Sequence, residues 1–297
     1  MGFSADAQCM QCYLERNMAL ARTLGDEQQA TVFFRAFVQA ILDAPEGISA
    51  PWFAPQAARL LQEIYGIDFD RYRQEKIESN RFAMARLEQI RSHVQSAQDP
   101  ILAGLQYAIL GNYIDFSALR GEVHFDVLEQ MLQEANQMVL DQKTVDLLRQ
   151  DLSRSKKLLY ITDNAGEIVF DRIFAEEIAK TYPQLQIIFL VRGGPANNDA
   201  LIEDAREVGI PFPVIGNGNC IPGTMLDYLS AEAKAAIEEA DVILSKGQGN
   251  VETLYGCGYP VYYAFLIKCQ RFMDLFQKPK MTPLLLRELA DDVDFRR

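Results

Sequence analysis

Two spacings of hydrophobic residues divide the chain. From residue 9 to about 150, apolar positions recur every three or four residues, the period of an amphipathic helix. The spacing predicts helices over 9–23, 27–43, 55–65, 72–94, 100–110, 126–139 and 144–152. The second carries Phe33, Phe37, Ala40 and Ile41 on one face; the fourth carries Ala83, Leu87, Ile90 and Val94. A loop is expected from Asp43 to Pro55, with breaks at Gly66–Asp70 and at Gly111-Asn112-Tyr113-Ile114-Asp115-Phe116. After the polar stretch Ser153-Arg154-Ser155-Lys156 the pattern changes. Apolar runs at 158–162, 186–191, 242–244 and 261–267, with a weaker one at 212–215, alternate with helical segments at 167–180, 199–208 and 226–240. That alternation implies parallel strands covered by helices on both faces.

Polar clusters follow successive strands. The first exit gives Asp163 and Asn164. The second gives Arg192-Gly193-Gly194-Pro195 and then Asn197-Asn198-Asp199; the third gives Gly216-Asn217-Gly218-Asn219 and Pro222-Gly223-Thr224. The fourth gives Ser245-Lys246-Gly247-Gln248-Gly249-Asn250. In a parallel sheet these exits share one rim, where ligands bind in open α/β folds. Asp163 or Asn164 alone would do as a helix cap; four such exits in succession suit a pocket. Asp163, Asn164 and Asp199 offer three oxygen donors, a set for a hard divalent cation. Lys246, in a Gly-flanked loop, suits a phosphate. A cation and an ammonium at one rim indicate phosphoryl chemistry. Neither GxxxxGK[ST] nor GxGxxG after the first strand is present, which argues against those nucleotide sites.

Composition narrows the partners. The net charge of −12 over 297 residues argues against a nucleic-acid surface. No apolar run is long enough to cross a bilayer, and the start has no signal-peptide pattern, so a cytoplasmic protein with reduced thiols is expected. With only His93 and His124, histidine chemistry is not expected. Cys9-x-x-Cys12 is by itself a weak metal or redox signal, and Cys220, Cys257 and Cys269 are scattered. Lys76 and Asn80, one helical turn apart, read as a solvated face.

The combination of Asp163-Asn164-Ala165-Gly166-Glu167, Asn198-Asp199, Ser245-Lys246-Gly247-Gln248-Gly249-Asn250 and Gly111-Asn112-Tyr113-Ile114-Asp115-Phe116 resembles the DUF89, or damage-control phosphatase (ARMT1-like), family. Cys9-x-x-Cys12 resembles its branch with an N-terminal cysteine pair. The resemblance implies an α/β protein: a helical N-terminal domain (1–152) packed on a three-layer α/β/α Rossmann-like domain (153–297) with a mostly parallel sheet. It implies a metal-dependent phosphatase of small phosphorylated metabolites, including sugar phosphates and phosphopantetheine-like or damaged compounds. Asp163, Asn164 and Asp199 would hold Mn²⁺, Ni²⁺, Co²⁺ or Mg²⁺, and Lys246 would face the phosphate. Asn112 and Asp115 would line the substrate side. Gly247, Glu167 and Asn250 complete the candidate set. The segment after Gln270 fits the family pattern poorly.

The sequence leaves open whether Asp163 is a nucleophile or only a ligand. Two other functions stay in play: S-adenosylmethionine-dependent carboxyl methyl transfer, and a thiol- or metal-binding protein using Cys9 and Cys12. The first gives no use to Lys246 or the oxygen ligands, and the second none to Lys246. Oligomeric state is not legible.

Overall fold

The computed structural model describes residues 2–117, 119 and 123–288. The helical half begins with α1 (Ala7–Leu24), α2 (Glu27–Leu42) and α3 (Phe53–Tyr65). Aspartates start the first two. Asp6 accepts from the Cys9 N–H, and Asp26 with Gln29 forms a reciprocal cap, so free N–H groups of the first turn are satisfied. These three helices close on a core of their own, built on Phe33, Phe37, Phe53, Leu60 and Leu61.

Five more helices follow: α4 (Arg73–Met84), α5 (Leu87–Ser96), α6 (Pro100–Gly111), α7 (Phe125–Gln133) and α8 (Gln142–Arg154). The single helix expected over 72–94 is two, because the chain turns at Ala85–Arg86. No Gly or Pro breaks it. The Arg86 side chain instead donates to Phe82 O at 2.9 Å, lies over the Phe82 ring and pairs with Glu129 of α7. A tertiary contact sets this break, which the local period does not show.

The rest alternates: β1 (Lys157–Ile161), α9 (Glu167–Thr181), β2 (Gln186–Val191), α10 (Ile202–Glu207), β3 (Val214–Gly216), α11 (Ala231–Glu239), β4 (Val242–Lys246), α12 (Gln248–Leu254), β5 (Val261–Leu266), α13 (Gln270–Phe276) and β6 (Pro283–Arg287). The sheet order is β3-β2-β1-β4-β5-β6. The first five strands are parallel, and β6 runs antiparallel to β5. β6 and α13 lie in the segment whose pattern was not recognised in the sequence. Side chains alternate between two faces. Leu158, Tyr160, Phe189 and Leu244 enter one core, and Leu159, Ile161, Ile243 and Phe265 the other. The first is covered by α5–α9 and the second by α11–α13, which makes three layers.

The expected division at 152/153 does not divide the core. Leu105, Ile109 and Leu148 of the helical half share one apolar cluster with Leu158, Phe170 and Phe174. Helix α6 lies so close to α9 that a Cβ on Gly111 would stand 2.6 Å from the Phe170 ring. No described helix is long and apolar enough to cross a membrane.

Candidate active site

Strand order reverses between β1 and β4, so the loops after these strands diverge and leave a crevice. The exits of β1 and β2 are laced together beyond the sheet. Asp163 O accepts from Ala200 N at 2.8 Å, Asn198 O accepts from Ala165 N at 2.9 Å, and Asn164 bridges Asp199. This lacing brings two aspartates thirty-six positions apart to the same wall.

Asp163 Oδ2 accepts from Asn112 Nδ2 at 3.0 Å and Asn164 Nδ2 at 2.8 Å. Asp163 Oδ1 is 3.8 Å from Arg192 Nη2. Asp199 Oδ2 accepts from Arg192 Nε at 2.6 Å. Burial, with Asp199 and Glu167 close by, pushes the Asp163 carboxyl well above the usual range. Burial also raises Asp199, to about 6, against the pull of Arg192. Gly247, after β4, presses on Asp163: a Cβ there would meet Asp163 Oδ2 at 2.0 Å, and its φ of +80° suits only glycine.

A cavity of about 630 Å³ opens over these acids, and Asp163, Asn164, Asp199, Asp115 and Lys268 line it. Lys268 Nζ donates to Asp115 Oδ2 at 2.8 Å, and its backbone N–H donates to Gln248 Oε1 at 3.1 Å. Lys268 follows β5, so it reaches the rim by the same logic as the other exits. Lys268 was not among the predicted site residues; its signal in the sequence is the apolar run 261–267 just before it. A second cavity of about 600 Å³ lies between α4 and the β2 exit; its Lys76 is taken by Asp70 at 3.1 Å.

Several predicted residues are elsewhere. Lys246 does not face the cavity. Its ammonium is wholly buried and donates to Ala108 O (2.7 Å), Glu167 Oε1 (2.8 Å) and Asp171 Oδ1 (2.7 Å). The alternation of β4 explains this. Position 246 shares its face with Leu244, which points into the helix-covered core. Asn250 is also buried, donating to Thr162 O and Lys246 O and accepting from Thr224 Oγ1, so it ties loops together. Asn112 and Glu167 sit behind Asp163 and do not line the cavity. Lys76 and Asn80, read as solvated, are buried: Asn80 Oδ1 accepts from the Gly166 N–H at 2.7 Å, and Lys76 pairs with Asp70. The exit of β3 is structural at Asn217, whose Oδ1 accepts from the Gly193 N–H.

Among the described residues, no group of three or more His, Cys, Asp or Glu side chains has the arrangement of a metal site. The candidate set is two carboxylates and a carboxamide, and its chemistry fits a hard cation. Asp163 and Asp199 are buried like charges with one shared arginine, a grouping that a divalent ion relieves. Asn164 Oδ1 accepts from Asn198 Nδ2 at 2.9 Å, and a carbonyl oxygen keeps a second lone pair.

Cys9, Cys12 and Cys269 stand on the outer wall of the same cavity, as free thiols. Burial pushes Cys9 up to about 11 and Cys269 up to about 12. Cys220 and Cys257 lie away from it. His93 is bonded to the Tyr107 hydroxyl at 2.7 Å, and His124 precedes α7, so neither histidine reaches the acids.

A doubly wound α/β sheet under a helical layer, with acids and an ammonium at its switch point, has the form of a small-molecule enzyme. The sequence matches the damage-control phosphatase ARMT1-like domain over residues 5–283, and the chain belongs to that family. It is 31% identical over 274 residues to an uncharacterised protein of Methanocaldococcus jannaschii, covering 89% of this chain and 88% of that one. It is 33% identical over 221 residues to a damage-control phosphatase of Archaeoglobus fulgidus, covering 73% and 75%. A crystal structure of a DUF89 family protein from Pyrococcus horikoshii superposes with a TM-score of 0.78 at 25% identity, covering 96% of this chain and 99% of that one.

Proposed function

We propose that the chain hydrolyses phosphate monoesters of small metabolites, with a divalent cation held by Asp163, Asn164 and Asp199. The observation that carries this reading is the convergence of Asp163, Asp199 and Lys268 on one cavity. A bound Mn²⁺, Co²⁺, Ni²⁺ or Mg²⁺ supplies Lewis acidity to a phosphoryl oxygen.

The protein's own groups do the rest. Lys268 takes the place foreseen for Lys246: its ammonium, buried at the cavity wall, offsets charge that spreads in the transition state. Asp115 holds that ammonium in position. Asn112 and Asn164 pin one oxygen of Asp163 and leave the other facing Arg192. A carboxylate so pinned serves as a holder of the cation, with water as the attacking group. Arg192 fixes Asp199 through a bond from Nε. The size of the cavity suits a metabolite rather than a macromolecule.

Turnover of p-nitrophenyl phosphate with each of the four metals tests the reading. Activity is expected in the wild type and absent in Asp163→Ala. Equal activity in both proteins, or none with any phosphate ester, refutes it.

A further inference from the structure

The cavity continues outward from the acids to α1, where Arg16 stands on its wall. Arg16 is firmly placed. Its Nη1 donates to Ser117 O at 3.1 Å and to Ser117 Oγ at 3.0 Å. The guanidinium lies over the Tyr13 ring, with Cζ 4.7 Å from the centroid. Asp115 and Glu252 act on its charge from a distance. Among the described residues it forms no ion pair with a carboxylate, and its buried Nε donates to nothing. An arginine offers a rigid fork of five donors, and a buried N–H left without an acceptor is costly. Among the described residues Nη2 donates to nothing either, and it is the N–H group that a ligand oxygen in the cavity can reach.

The spacing of the two cations follows from one loop. Asp115 grips Lys268, and Ser117, two residues on, grips Arg16. The cavity wall thus holds a buried ammonium beside the acids and a pinned guanidinium further out. Under the proposed function the cleaved phosphate lies beside the first. The second remains to be matched.

We propose that Arg16 forms a second oxyanion subsite, and that the physiological substrate carries a carboxylate or a second phosphate besides the phosphate that is cleaved. This rests on the phosphatase reading for the identity of the first group. A planar guanidinium suits either anion through paired N–H donors.

Matched esters separate this role from a merely structural one. Glycerol 3-phosphate and 3-phosphoglycerate differ by one carboxylate; glucose 1-phosphate and glucose 1,6-bisphosphate differ by one phosphate. For at least one pair, wild-type kcat/KM should favour the doubly anionic member. Arg16→Gln should lower kcat/KM for that member roughly ten- to a hundred-fold more than for its partner, mainly through KM. Arg16→Lys should recover part of the difference. Equal losses on both members of each pair, as a loosened α1 would give, overturn the proposal; so does a wild type without preference in either pair. Calorimetric titration with the same four compounds supplies a readout without turnover. If no ester is cleaved but glucose 1,6-bisphosphate or 3-phosphoglycerate binds in an Arg16-dependent way, the subsite stands and the phosphatase reading falls. If esters are cleaved without that dependence, the reverse holds.

Discussion

Lys246 Nζ lies 2.7 Å from Asp171 Oδ1, in a pocket of the core that no solvent reaches. Its other acceptors are Glu167 and the carbonyl of Ala108, so α6, α9 and β4 meet at one ammonium. Removing it strands two buried carboxylates, and breaking a buried pair in this way costs about 3–5 kcal/mol. Lys246→Met should therefore be a stability variant first. Urea denaturation is expected to show a lowered midpoint. A midpoint within error of wild type, with activity lost, would return Lys246 to the phosphate.

Under the proposed function the charge-offsetting role passes to Lys268 at the cavity wall. Lys268→Met should lower kcat/KM for p-nitrophenyl phosphate by roughly a hundred- to a thousand-fold, the range for losing one donor to a developing anion. Steady-state kinetics on the folded variant measures it, with circular dichroism as the control. A loss below about three-fold would remove Lys268 from the chemistry.

Asn112 touches Asp163 from behind and does not line the cavity. Under the proposed function it orients a ligand, and such support is worth roughly 10–100-fold in metal affinity. Asn112→Ala should weaken Mn²⁺ binding by that factor. Competition titration of the purified protein gives the number; unchanged affinity would show that Asp163 needs no support from α6.

Burial raises the Asp171 carboxyl to about 7 despite the ammonium of Lys246. A carboxyl that holds its proton more tightly when folded adds stability at acid pH. That contribution is complete below the ordinary carboxylate range and is lost as pH rises through about 7. Asp171→Asn has no such proton. Its unfolding free energy should fall less between about pH 4 and about pH 7.5 than that of wild type. Asp199 titrates in both proteins, so the difference reports on residue 171 and its partners Lys246 and Glu167. Parallel pH profiles would contradict the shift.

The cavity thiols should differ in reactivity. Cys12 is exposed, whereas burial raises Cys9 to about 11 and Cys269 to about 12. The thiolate is the nucleophile, so iodoacetamide at about pH 8 should label Cys12 well before the other two. Cys9 labelling should rise steadily as pH climbs towards about 11. Peptide mass spectrometry over time would reveal the order, and equal rates would count against the burial of Cys9 and Cys269.

Much of the architecture was legible in the chain. The change from a helical period to alternating runs marked where the sheet begins, and the runs located β1, β2, β4 and β5 and, more weakly, β3. The antiparallel β6 was missed because Pro283-Leu284-Leu285-Leu286-Arg287 carries no alternation; its Leu285 is buried while its neighbours are half-covered at the sheet edge. The acids after β1 and β2 were legible because strand ends in a parallel sheet share a rim. Lys268 carried the same signal after β5.

What the sequence determined by itself was which residues end strands, since hydrophobic period and Gly-rich exits are local properties. Tertiary structure alone decided which way each exit side chain points. Lys246 is the last residue of β4, held in its pleat and aimed at the helical layer, while Lys268 lies two residues past the end of β5, at the cavity wall, with its side chain buried against Asp115. Side chains along a strand alternate between faces, so a residue still inside the pairing is committed to one layer, whereas a residue past its end is placed by the loop that follows.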